Sequence, residues 1–188
     1  MMILKPSHEK MPLEKACTNA LLRGLTLLSN KTHDGKDKMQ GHGLVIYQNW
    51  QELLREENRK NADQIECVFP HAFIHYENKL RTKQFFERCT YIIPYIDKSL
   101  MTLAVDQYND IVAFAAEIAT IAHQRDPFPK VSLKEKRNHI IEMLRRSCEQ
   151  EELALHYLQK AVVNLRQHAD FGIPPKEKRK KGFYENDR

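Results

Sequence analysis

"SLKEKRNHIIEMLRRSCEQEELALHYLQKAVVNLRQHADF", residues 132–171, decides the fold class. Apolar residues recur at Ile141, Leu144, Cys148, Leu155, Leu158, Val162 and Leu165, the period of one face of an α-helix. Ser132 and Glu135 stand in the S-x-x-E spacing of a capping box, in which the serine caps the new helix and the glutamate reaches back. Carried unbroken to Phe171, the pattern would make a rod of roughly 58 Å at ~1.5 Å per residue. A compact chain of 188 residues has a diameter of only ~40 Å. The expectation is therefore a helix that bends near "CEQEE", 148–152, where the stripe meets glutamates, or one that projects beyond the body.

Working outward, the rest of the chain is helical as well. Pro12 opens "PLEKACTNALLRGLTLLSN", with Leu13, Ala16, Cys17, Ala20, Leu21, Gly24, Leu27 and Leu28 on one stripe. Proline suits the first helical position because its missing N–H has no partner to lose there. "NKTHDGKDKMQGHG", 30–43, is polar, holds three of the six glycines and reads as a flexible loop. A second helix begins around "LVIY", with Ile46, Trp50, Leu53 and Leu54 inward. Residues 70–81 and 82–98 read as two further helices, broken or kinked around Pro94. From Ser99 to about Gln124 the pattern is apolar nearly all round, which marks a helix enclosed by its neighbours, and "DPFPK", 126–130, ends it. The fold class is all-α: a compact bundle of five or six helices in one domain, 1–172, with a long C-terminal helix and a basic tail, 173–188.

Composition supports this reading and excludes others. Apolar residues make up 41% of the chain and charged residues 29%, a balance that suits a soluble globular body better than disorder. "IVAFAAEIATIA", 111–122, is interrupted by Glu117 and far shorter than the ~20 residues that span a bilayer, so no membrane insertion is expected. "MMILKPSHEK" lacks the apolar core of a secretory signal. Cys17, Cys67, Cys89 and Cys148 show no CxxC spacing and read as small buried hydrophobes, which suits a reducing, cytoplasmic location.

The net charge of +5 is unevenly spread. The tail "IPPKEKRKKGFYENDR" carries +3, leaving +2 on everything before it. Its cluster Lys176, Lys178, Arg179, Lys180 and Lys181 offers phosphate contacts, and Phe183 and Tyr184 offer stacking rings or an aromatic anchor for a protein.

Candidate chemistry is sparse. In "PHAFIHYENK", 70–79, His71 and His75 share a helical face with Asn78 and Thr82, opposite Phe69, Phe73, Tyr76 and Leu80. Since the apolar face is the one a bundle buries, the histidines are expected on the surface, as weak metal candidates only. No Glu-x-x-His set or His-Glu-x-x-His motif accompanies them. His123, His139 and His156 have no common spacing. Asp106, Asp110, Glu117 and Gln124 read as the wet edge of the most apolar helix. "DGKDKMQGHG" lacks the Walker pattern, and no GxSxG or activated cysteine is found.

No catalytic residue, metal or cofactor is therefore expected. The leading expectation is a non-enzymatic helical adaptor or chaperone-like subunit of a larger assembly, binding a partner protein through Leu155, Leu158, Val162 and Leu165 and through Phe183 and Tyr184. The alternative is a nucleic-acid-binding protein that uses the tail, and a metal-dependent bundle enzyme comes third.

Overall fold

Five α-helices fill the described part of the chain: α1 (Leu13–Ser29), α2 (Val45–Lys60), α3 (Phe69–Ile92), α4 (Lys98–His123) and α5 (Leu133–Ala161). The structure, a computed structural model, describes residues 11–29, 43–61, 65, 69–123, 131–163 and 165. Residues 30–42 of the expected loop, "DPFPK" and the whole tail 173–188 lie outside them. No strand occurs among the described residues, and no helix there is long and apolar enough to cross a membrane.

Local chemistry sets the helix ends. The Pro12 carbonyl accepts the Ala16 N–H at 3.0 Å, so proline supplies the first acceptor of α1. Asn61 closes α2 in the left-handed region (φ 50°, ψ 42°) and bonds back to Asn58, a conformation asparagine tolerates better than most residues. Asp97 Oδ1 accepts the Leu100 N–H at 3.0 Å at the start of α4. The expected capping box forms at α5: the Ser132 hydroxyl accepts the Glu135 N–H, while Glu135 Oε2 accepts the Ser132 N–H at 2.9 Å. Replacing Ser132 with Ala should therefore lower stability by ~1 kcal/mol, read as a small drop in the urea midpoint.

Three sets of contacts fix the topology. Going up α4, Asp97 meets Ala161, Tyr108 meets Glu151 and Glu117 meets His139, so α4 and α5 are antiparallel. Phe73 against His123 and Phe86 against Tyr108 make α3 antiparallel to α4. Ser29 to Gln159, Tyr47 to Glu151 and Asn58 to Asn138 run down α5 as the chain climbs from α1 to α2. The two short helices thus follow one another along the same corner. The result is a four-cornered bundle in which α3, α4 and α5 each fill one corner and α1 and α2 share the fourth.

Two apolar clusters stack inside. One joins Leu21 and Leu25 of α1 to Phe86, Cys89, Ile93, Met101, Tyr108, Ile111, Leu158 and Val162. The other joins Tyr47, Trp50 and Leu54 of α2 to Ala72, Ile118, Ile121, Ile140, Met143 and Leu144. Helix α1 has the smallest share. It buries only Thr18, Leu21 and Leu25, while Leu13 and Leu27 of the expected stripe stand in solvent. Beyond its buried residues, Cys17, Leu22 and Leu28 pack only partly buried against the first cluster. Helix α1 is the least firmly held.

One expectation is corrected. Residues 70–81 and 82–98 do not form separate helices. Nothing between Arg81 and Thr82 breaks the chain, and α3 runs on until Ile93–Pro94, where a residue before proline disfavours the helical region. Helix α5 is the longest of the five and runs without a break through 148–152, while most of the run from Val162 to Phe171 lies outside the described residues. The helix ends at Ala161, whose carbonyl accepts the Asp97 N–H at 3.3 Å.

Candidate functional site

Between the two clusters lies a polar centre to which all four corners contribute. Glu151 sits on the inward stripe of α5, seven residues after Leu144 and seven before Leu158, and is 1% exposed. Its Oε2 accepts the Tyr47 hydroxyl of α2 at 2.6 Å, and its Oε1 accepts the Tyr108 hydroxyl of α4 at 2.6 Å. Lys79 of α3 donates to both oxygens, at 2.7 and 2.6 Å. The same ammonium stands 5.2 Å from the centroid of the Tyr47 ring.

The electrostatics favour one protonation pattern. Burial alone would raise the Glu151 carboxyl, but the Lys79 charge and the hydrogen bonds from Lys79, Tyr108 and Tyr47 outweigh it and hold the group below the usual carboxylate range. Burial pushes both tyrosines well above their ordinary value, and the Glu151 charge adds to it. The centre is a carboxylate, an ammonium and two neutral phenols, with zero net charge. Both carboxylate oxygens are already engaged, whereas a general base needs a lone pair directed at its substrate.

One turn before Lys79, His75 packs between two rings of α2, 5.7 Å edge-on from Tyr47 and 5.2 Å from Trp50. Burial first, and then the nearby Lys79 charge, lower its pKa to about 3, so the ring is neutral. Among the described residues, neither its buried Nε2 nor the buried indole N–H of Trp50 has a hydrogen-bond partner.

This overturns the surface expectation for His75 and not for His71. His71 is exposed, but His75 is only 8% exposed, and Phe73, expected inward, is 54% exposed. The reason lies further along the same helix. Phe86, Cys89 and Ile93 carry the heavier apolar side chains of α3, and their line, extended back at the helical period, passes through Ala72, His75 and Lys79. A straight helix has one inward line, and the C-terminal half of α3 sets it.

Of the residues expected to meet a partner, Leu158, Val162 and Leu165 are buried in the first cluster and Leu155 is half-buried against it, closed to a partner in this conformation. Phe183, Tyr184 and the basic cluster Lys176, Lys178, Arg179, Lys180 and Lys181 lie outside the described residues. Asp106 and Asp110 are exposed, and Glu117 accepts from His139 Nε2 at 2.7 Å across to α5. Among the described residues no three His, Cys, Asp or Glu side chains are placed to hold a metal ion.

Sequence reasoning noticed Glu151 only as an interruption of a stripe. A glutamate at a core position of an otherwise apolar heptad-like run signals a buried partner on another helix, and Lys79, Tyr47 and Tyr108 are that set. Comparison with protein-family models, with curated proteins and with solved structures finds no match.

Proposed function

We propose that the chain is a non-enzymatic helical adaptor or chaperone-like subunit that binds a partner protein within a larger, cytoplasmic assembly. The supporting observation is a second apolar stripe on α3. Phe73, Tyr76 and Leu80 follow one another at helical spacing beside the inward line of α3, and Tyr91, five turns beyond Phe73, lies in line with it. Phe73 is 54% exposed and Tyr91 84%, with Tyr76 and Leu80 half-buried between. Tyr76 packs against the second cluster and Phe73 against His123 of α4, but half of Phe73 and most of the Tyr91 ring stay outside the bundle. Such surface marks a contact with another molecule, and the i, i+3, i+7 spacing suits a partner helix laid alongside. The closed, fully bonded centre at Glu151 supports the same reading, since it presents no lone pair to a substrate. Phe183 and Tyr184 are a further proposed anchor.

The test pairs capture with stability. Phe73→Asp/Tyr91→Asp should keep its thermal midpoint, because exposed substitutions shift stability by only about 0.5 kcal/mol. The same variant should lose the protein that the unaltered chain captures at equimolar ratio from its host and that rebinds it when purified. An unchanged binding constant would refute the proposed surface. Nucleic acid retained by the unaltered chain with a log–log salt slope near −4, and lost on removal of 174–188, would favour the basic tail as the working part instead.

A further inference from the structure

Two cysteines from different helices belong to the first apolar cluster. Cys89 of α3 is fully buried there, and Cys17 of α1 packs half-buried against the same cluster. The helical directions agree. On α1, Ser29 faces α5 through its bond to Gln159, and Cys17 lies about 120° around from it, on the flank towards α3. On α3, Phe73 marks the flank facing α4 through His123, and Cys89 lies about 160° around from Phe73. The remaining neighbour of α3 at that end is α1.

The geometry points to Cys17 and Cys89 as a thiol pair that hydrogen peroxide closes into a disulfide, fastening α1 to α3. Only Cys17 is reachable from solvent, so it takes the first step: its sulfur attacks the peroxide, breaks the O–O bond and becomes a sulfenic acid, releasing water. The Cys89 sulfur then attacks the sulfenic sulfur, its proton leaves with the sulfenic oxygen as a second water, and the S–S bond forms. Two thiols lose two electrons and two protons to one peroxide. Burial pushes the Cys89 thiol up to about 12, with the neighbouring Cys17 adding to it, which keeps Cys89 unreactive until a sulfenic acid stands beside it. The bridge ties down the helix that buries least, so oxidation changes how firmly α1 is held. Cys148 packs against the other cluster and provides an internal comparison.

The full-length reduced chain, treated with a slight excess of hydrogen peroxide and then alkylated under denaturing conditions, tests this. Titratable thiols should fall from four to two, and trypsin should release residues 16–23 joined to residues 89–98, two hydrogens lighter than their sum and separated by dithiothreitol. Cys17→Ser, at a half-buried position that tolerates the change, should keep Cys89 alkylatable. Recovery of the two peptides separately, with Cys17 as its sulfinic acid, would overturn the inference. So would loss of the Cys89 thiol in Cys17→Ser.

Discussion

Glu151→Gln should be among the most damaging single substitutions in the chain, lowering stability by about 3–5 kcal/mol. The change leaves the Lys79 ammonium, only 13% exposed, without its counter-charge at the meeting point of four corners. It also exchanges two charge-assisted bonds from Tyr47 and Tyr108 for neutral ones, which are about half as strong. Against a typical total of ~5–15 kcal/mol, such a loss is a large fraction of the whole. Lys79→Met should be similarly harmful, for the complementary reason that it strands a buried carboxylate. The double variant Lys79→Met/Glu151→Gln removes both charges together and should recover much of the loss. Urea unfolding of the four proteins gives the coupling directly, expected at 2 kcal/mol or more. Losses that simply add, within about 0.5 kcal/mol, would show that the two charges do not act as a unit.

The same centre explains how far the sequence could be read. Helix identity was legible almost throughout, because each helix carries its own apolar period and its own punctuation: Pro12, Pro94, and Ser132 with Glu135. These are local signals, and the structure keeps all of them. What failed was facing. On α3 two apolar lines compete, Phe73–Tyr76–Leu80 and Ala72–His75–Phe86–Cys89–Ile93. A twelve-residue window around the histidines sees only the first. The second wins because its weight lies about one and a half to three turns further on, and because Lys79 must reach Glu151 across 72 residues of chain. A pairing of that kind has no local trace. Its only sign in the sequence is a glutamate where a leucine is due, and the bend proposed there would have exposed Glu151. Three convergent donors, making four hydrogen bonds, make the opposite solution, full burial, the stable one.

His75 should make the protein acid-labile, with stability falling from about pH 6.5 downward. The groups around it are Lys79 on its own helix, Tyr47 and Trp50 from α2 and Glu151 from α5. Its ring is buried neutral, with a pKa lowered to about 3 from 6.5 by burial and by Lys79. Below pH 6.5 the unfolded chain therefore binds a proton at this position that the folded chain does not. Stability is complete above 6.5 and declines as the pH falls towards 3, by nearly a factor of ten in the folding equilibrium per pH unit. Across that window the loss is on the order of 4 kcal/mol. Glu151 acts in the same direction but lower down: its carboxyl is held below 4.5, so its contribution starts to be lost only under 4.5. The interval from 6.5 to 4.5 thus isolates the histidine. His75→Phe keeps a ring between Tyr47 and Trp50 and removes a buried nitrogen that has no partner among the described residues. At pH 7.5 this variant should be at least as stable as the unaltered chain, and between 6.5 and 4.5 its urea midpoint should be nearly flat. An equally steep decline in His75→Phe would place the acid sensitivity elsewhere. A marked loss of stability at pH 7.5 would show that the imidazole holds the centre together through a bond its neutral ring makes.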